Sequence, residues 1–359
     1  MNIRLLLPLL CLLCSAAGSA RADGKMYWRE NVPPSIPYQR AVIFFQDGVE
    51  TLVLQSKYQM PGPGEAAPIG WVVPVPAVPE LASMPADAAY VAFHFLGRSC
   101  PPTMIRMSRF PMYSFVALCF LALFPPVTRR MPGGARRPEF VRVFALLGFA
   151  GSIVLPPLFA PLGTGSPVDV LSSQRVGIYD VQVIRGTGAE PVMEWLKDNE
   201  FEFGDGDRAA FASYVSRGWC FVVAKINPEE EDGESGIAVE GLAAPLILRF
   251  PHSAPVYPLM LTGAGGFDTE VLVYLASDRK WTCGERLDTW YAGKKTKTPW
   301  QDLMMSRAEP PAFAEKMQKE TYSYITKFKG TLTPAEMADD LIFSPAEDDA
   351  PVQKTVWAW

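Results

Sequence analysis

Apolar residues run without a charge at two places in the middle of the chain. Phe110–Val127 reads FPMYSFVALCFLALFPPV and Val143–Leu162 reads VFALLGFAGSIVLPPLFAPL. A bilayer core takes roughly 20 apolar residues of helix, so the two stretches predict transmembrane helices forming a hairpin. On either side the period changes. Ala41–Phe45 and Glu50–Tyr58 are strand-like runs separated by Gln46-Asp47-Gly48-Val49, and Asp-Gly is a hairpin turn signal. Gly70–Pro79, with prolines at 74, 76 and 79, reads as an edge strand passing into polyproline-like chain, because proline cannot donate to a ladder.

Beyond the second apolar stretch, Val168–Leu171 and Gly177–Ile184 read as strands. Glu190–Asn199 places Val192, Trp195 and Leu196 on one helical face. Asp207 is the expected cap of a second helix with Phe211, Tyr214 and Val215 inward and Gly218 as its stop. Strands are expected at Trp219–Ile226, Leu246–Phe250, Val256–Leu261 and Glu270–Ala276, and a helix over Ala312–Lys327. Thr333-Pro334-Ala335-Glu336 combines a capping box with proline at the first helical position, predicting a further short helix. Without the regular alternation of a doubly wound fold, the pattern predicts an α+β, mainly antiparallel domain interrupted by the transmembrane hairpin.

Charge and the N-terminus orient this arrangement. Met1–Ala22 has a basic start at Arg4, an apolar run from Leu5 to Leu13, and Ala20-Arg21-Ala22 as a small-x-small cleavage site, the parts of a signal peptide. Residues 128–142 carry Arg129, Arg130, Arg136, Arg137 and Arg142 against Glu139 alone, which places the loop in the cytoplasm by the positive-inside rule. The expected organisation is therefore a signal peptide over 1–22, an exported part over 23–109, and spans at 110–127 and 143–162. The arginine-rich loop at 128–142 joins the spans, and 163–359 is the second exported part. The expected location is a bacterial inner (cytoplasmic) membrane with the main domain on the exported side.

The net charge of −5 is concentrated outside that basic loop. No basic helix is present elsewhere, which argues against nucleic acid as a partner. Cys100, Cys220 and Cys283 fall in the exported parts, where an oxidising compartment permits one disulfide and one leftover thiol. Spacing does not choose the pair, and Cys220 in WCFVVAKI reads equally as a buried free thiol.

Several stretches resemble a bacterial family, domain of unknown function 2330. They are Ala22–Met26, Ile69–Leu81 (IGWVVPVPAVPEL), Arg175–Val183 (RVGIYDVQV), Trp195–Asn199, Tyr214–Lys225 and Gly330–Phe343 (GTLTPAEMADDLIF). The resemblance implies an exported or envelope-associated bacterial protein. It supplies no activity, ligand or catalytic residue.

Recognisable chemistry is sparse. The chain has two histidines, His94 and His252, with no H-x-H or H-E-x-x-H spacing. His94 sits in a strand-like apolar run and His252 in a proline-rich turn. The G-x-S-x-G elbow of serine hydrolases is absent. Gly204-Asp205-Gly206-Asp207 lacks the later ligands of a calcium loop, so the sequence implies no metal and no cofactor. Asp339 and Asp340 lie where a helix dipole disfavours carboxylates. With Asp180 and Glu194 they are the candidate catalytic residues of an envelope hydrolase. The preferred expectation is a non-catalytic binding or envelope-assembly module, with the lipid bilayer and an envelope protein as partners.

Overall fold

The computed structural model describes residues 25–27, 35–59, 70–106, 167–201, 203–204, 206–226, 244–294 and 313–358. Both apolar stretches and the arginine-rich loop lie outside these residues. Among the described residues no helix is long and apolar enough to cross a membrane. The chain divides into two units, Met1–Thr103 with Ser166–Val356 and Met104–Gly165 with Trp357–Trp359. The first is described below.

The described residues open with β1 (Lys25–Tyr27), then β2 (Ser35–Gln46) and β3 (Val49–Gln59). Asp47 and Gly48 join the last two with φ of 52° and 73°, the mirror-image turn whose twist matches a hairpin. β4 (Gly70–Val75) and β5 (Glu80–Ser83) precede α1 (Ala86–Ser99) and β6 (Thr103–Arg106). β7 (Val168–Val176) and β8 (Tyr179–Gly186) lead to α2 (Ala189–Asp198) and α3 (Asp207–Ser216). Next come β9 (Cys220–Ile226), β10 (Leu246–Pro251), β11 (Val256–Tyr257) and a single helical turn, α4 (Met260–Gly263). β12 (Thr269–Ser277), β13 (Trp281–Thr282), β14 (Asp288–Lys294), α5 (Ala314–Lys319) and β15 (Tyr324–Leu332) follow. The short strands β16 (Leu341–Ile342), β17 (Ser344–Pro345), β18 (Val352–Gln353) and β19 (Thr355–Ala358) complete the order.

Two sheets carry the unit. The larger runs β18-β14-β15-β12-β2-β3-β10-β5 and the smaller β1-β4-β9-β8-β7. All pairings in both are antiparallel except β2 with β12, which is parallel with Ile43 opposite Leu275. β2 and β3 precede the apolar stretches and β10, β12 and β15 follow them, so one sheet needs both flanks of the chain.

Alternation along β2 explains the layers. Ala41, Ile43 and Phe45 join a core shared with the smaller sheet, to which α2 and α3 add Val192, Leu196, Phe211 and Tyr214. Val42 and Phe44 point the other way, into a second core with α1 and α5. A strand buried on both faces reads as a continuous apolar run. Full burial of each large side chain here contributes roughly 1.5–3 kcal/mol.

Several expectations are corrected. Ala92–Leu96 is not strand-like but part of α1, because Ala86, Ala89, Ala92, Phe93 and Leu96 bury at helical spacing. The helix expected over Ala312–Lys327 is confined to α5, and Tyr324–Lys327 belongs to β15. There β12 and β14 supply backbone partners on both sides. β4 is interior rather than an edge, yet β1 pairs only Gly70–Val72, so Pro74 falls where that side of β4 has no β1 partner. Val256–Leu261 bends into α4 after two strand residues. Asp207 accepts the Gly204 amide at 2.8 Å instead of capping α3.

Thr333–Glu336 forms the capping box, with the Glu336 carboxylate accepting the Thr333 amide at 2.8 Å and hydroxyl at 2.7 Å. These bonds hold the Glu336 carboxyl below its usual range. The turn does not continue as a helix. Cys100, Cys220 and Cys283 are all buried, with no disulfide among the three, and Cys220 Sγ accepts from Arg185 Nη2 at 3.1 Å.

Candidate functional site

The C-terminal stop of α3 builds one wall of a densely bonded polar junction in the first core. Gly218 has φ of 72°. The amides of Gly218 and Trp219 return to the carbonyls of Val215 and Tyr214 at 2.9 and 3.1 Å, the paired bonds of a Schellman motif. This stop sets Tyr214 inward and Arg217 at the rim. Arg217 lies over the Tyr214 ring at 4.7 Å and the Trp219 ring at 4.3 Å.

Asp340 meets them from the C-terminal segment. Its Oδ1 accepts the Tyr214 phenol at 2.5 Å, the Leu259 amide at 2.8 Å and the Met260 amide at 3.3 Å. Its Oδ2 faces Arg217 Nη2 at 3.0 Å. The Asp340 side chain is 1% exposed and that of Arg217 is 33% exposed. Burial first, and then the facing carboxylate, pushes the Tyr214 phenol well above its ordinary value. Two amides at the start of α4, a phenol and a guanidinium thus converge on one carboxylate, which explains why Val256–Leu261 turns rather than extends.

Arg286 holds the same segment through its backbone. Its guanidinium donates to the carbonyls of Asp340 at 2.7 Å, Asp339 at 2.6 Å, and Glu336. A Cβ on Gly263 would stand 2.8 Å from Met337 Cβ and 2.9 Å from Met337 O, so only glycine permits α4 to approach this turn. Beside the junction is a cavity of about 10 Å³ lined by Gln39, Leu54, Trp71, Tyr214 and Thr262 among others, a volume near that of one water. The Trp71 indole nitrogen is buried without a hydrogen-bond partner, while Tyr257 donates to Gln39 Oε1 at 2.6 Å.

The four sequence candidates are distributed differently. Asp340 is the buried centre just described. Asp339 is exposed and joins the junction only through its carbonyl. Asp180 on β8 and Glu194 on α2 are exposed. No hydrogen bond joins any of these carboxylates to another. His94 is exposed on α1 and stacks on Tyr90 at 6.4 Å. His252 Nδ1 lies 2.5 Å from the Ala254 carbonyl. Among the described residues no group of three or more His, Cys, Asp or Glu side chains is arranged to hold a metal.

The family's sequence profile covers residues 35–344 and is described as an uncharacterized protein conserved in bacteria. The chain belongs to the DUF2330 family. Asp340 and Tyr214 both lie within the DUF2330 match. No curated protein matches the chain. The crystal structure of baculovirus P35 aligns over 90% of this chain and 99% of its own, at 10% identity and a TM-score of 0.31. A likeness at that level carries no argument.

Sequence reasoning missed Tyr214, Arg217 and Arg286 as the partners of Asp340. It also missed one buried and one half-buried carboxylate. Glu50 is buried, accepts the Val256 amide at 2.8 Å and has a carboxyl held well above its ordinary range, first by burial. Glu320 pairs with buried Arg249 at 2.5 Å, and Arg249 also donates to Thr51 Oγ1 at 2.7 Å. The available signal was a charge inside an apolar strand, as at Arg249 in LILRFP, because such a charge demands a partner.

Proposed function

We propose that this DUF2330 protein is an exported bacterial module, tethered to the inner membrane by its apolar hairpin, that acts by binding or envelope assembly rather than by catalysis. The observation that carries this reading is the saturation of Asp340. The best buried of the four candidate carboxylates is occupied by four donors from α3, α4 and the segment before it, which makes it a clasp of the scaffold. A hydrolase using paired carboxylates needs two carboxyls free to flank one scissile bond, about 5–9.5 Å apart. Asp340 instead faces donors only.

The signal-like N-terminus, the two uncharged stretches and the five loop arginines support export and tethering. The bilayer and an envelope protein are the partners that fit, and nucleic acid does not. A periplasm-active phosphatase fused after Gly134 should be inactive, and one fused after Asp349 active. The reverse pattern, or activity at both points, refutes the tethered arrangement.

A further inference from the structure

Helix α1 has two apolar sides and the described structure covers one of them. Ala86, Ala89, Ala92, Phe93 and Leu96 face the larger sheet. On the outer side Tyr90 is 37% exposed, Val91 62% and Phe95 53%. From Ala88 to Gly97 the helix carries no Asp, Glu, Lys or Arg. A helix that is apolar all round is normally buried all round. The outer side therefore calls for a second apolar phase.

The chain around α1 indicates which phase. Phe110, where the first uncharged stretch begins, is eleven residues beyond Ser99. Even fully extended chain of that length reaches only about 40 Å, which is the farthest that a membrane crossing at 110–127 could leave the end of α1. No acidic residue occurs between Asp87 and Glu139, whereas Arg98, Arg106 and Arg109 follow the exposed face. Lysines surround Trp290 at the same end of the helix. Lys327 Nζ lies 6.0 Å, Lys329 Nζ 5.2 Å and Lys354 Nζ 5.4 Å from the Trp290 ring centre. Lys327 also donates to the carbonyl of Cys100, the C-cap of α1, at 3.3 Å. Lys329 and Lys354 are paired with Glu270 and Asp288, and Arg98 near the end of α1 is exposed. Exposed aromatic and aliphatic side chains followed by an exposed cation, Arg98, are the chemistry of a membrane–water interface.

We infer that the outer face of α1, through Tyr90, Val91 and Phe95, rests on an anionic bilayer surface and holds the domain against it. This rests on the tethered reading above. The test uses the full chain with Cys11, Cys14 and Cys119 changed to serine, since Cys100, Cys220 and Cys283 are buried. Phe95→Cys, Val91→Cys and, as a reference, Ile342→Cys (wild-type Ile342 is 59% exposed) each receive a nitroxide. The proteins are reconstituted in vesicles containing phosphatidylglycerol. Collisions with oxygen and with a water-soluble nickel complex are compared, and alkaline extraction tests the tether separately.

Labels at 91 and 95 should favour oxygen, and the label at 342 should favour nickel. A chain that resists extraction but shows nickel-favouring labels at 91 and 95 overturns the inference and leaves the tether standing. Spin–spin broadening between labels at 95 overturns it in favour of a second copy. An extractable chain that still shows the oxygen pattern on floated vesicles supports the α1 contact and refutes the tether. An extractable chain with nickel-favouring labels refutes both.

Discussion

Removing the Asp340 carboxylate should unlatch α3 from α4 and the C-terminal segment. In Asp340→Ala the Tyr214 phenol and the Leu259 amide lose their acceptor, while the Met260 amide keeps a 3.3 Å contact with Tyr214 Oη. Each stranded buried donor costs about 1–3 kcal/mol. Arg217, a third exposed, adds no more than about 1 kcal/mol as a partly screened pair. The expected total is on the order of 3–5 kcal/mol, the range for breaking a buried charged cluster by removing one member. At roughly 2 °C per kcal/mol for a unit of this size, the melting temperature should fall by about 6–10 °C. Asp340→Asn retains an acceptor and should cost about 1–2 kcal/mol, as should Tyr214→Phe. The double variant should cost less than the sum, because the two side chains share one bond. Urea unfolding of the detergent-solubilised chain, followed by tryptophan fluorescence, measures all four proteins. An Asp340→Ala protein within about 1 kcal/mol of wild type would refute the clasp and reopen a functional role for the carboxylate.

Glu50→Gln should stabilise the protein at neutral pH. The folded-state carboxyl lies well above its ordinary 4.5, so the folded chain binds the extra proton and wild-type stability falls as pH rises from about 4.5 toward the raised value. The amide keeps an acceptor for the Val256 amide, so the variant's advantage should grow across that window and vanish below it. Melting curves between pH 4 and 8, on the order of one unit apart, decide this, and an advantage that does not change with pH would be the contrary result. Gly263→Ala should destabilise by about 1–3 kcal/mol through its clash with the Met337 backbone. Combining it with Asp340→Asn should again be less than additive if both loosen one junction.

Local chemistry along the chain determined more of this fold than its long-range pairings did. Asp47-Gly48 specified the β2–β3 hairpin because a turn is decided by the φ values that its own residues tolerate. Val192 with Leu196, Phe211 with Tyr214, and the Gly218 stop specified α2 and α3 for the same reason. The Thr333–Glu336 box was also legible, since its bonds span three residues. Its failure to propagate was not, because the chain beyond it is held by Arg286 and Asp340. Tyr324–Lys327 has residues that suit either state, and β12 and β14 made it a strand by supplying partners on both sides. α1 was hidden by an apolar run whose inward period emerged only against the larger sheet. Asp340 was visible as an acid in an unfavourable place, but its partners lie 123 and 126 positions away in the sequence. Burial and partner donors are properties of packing, so only the tertiary structure decided which donors surround this carboxylate.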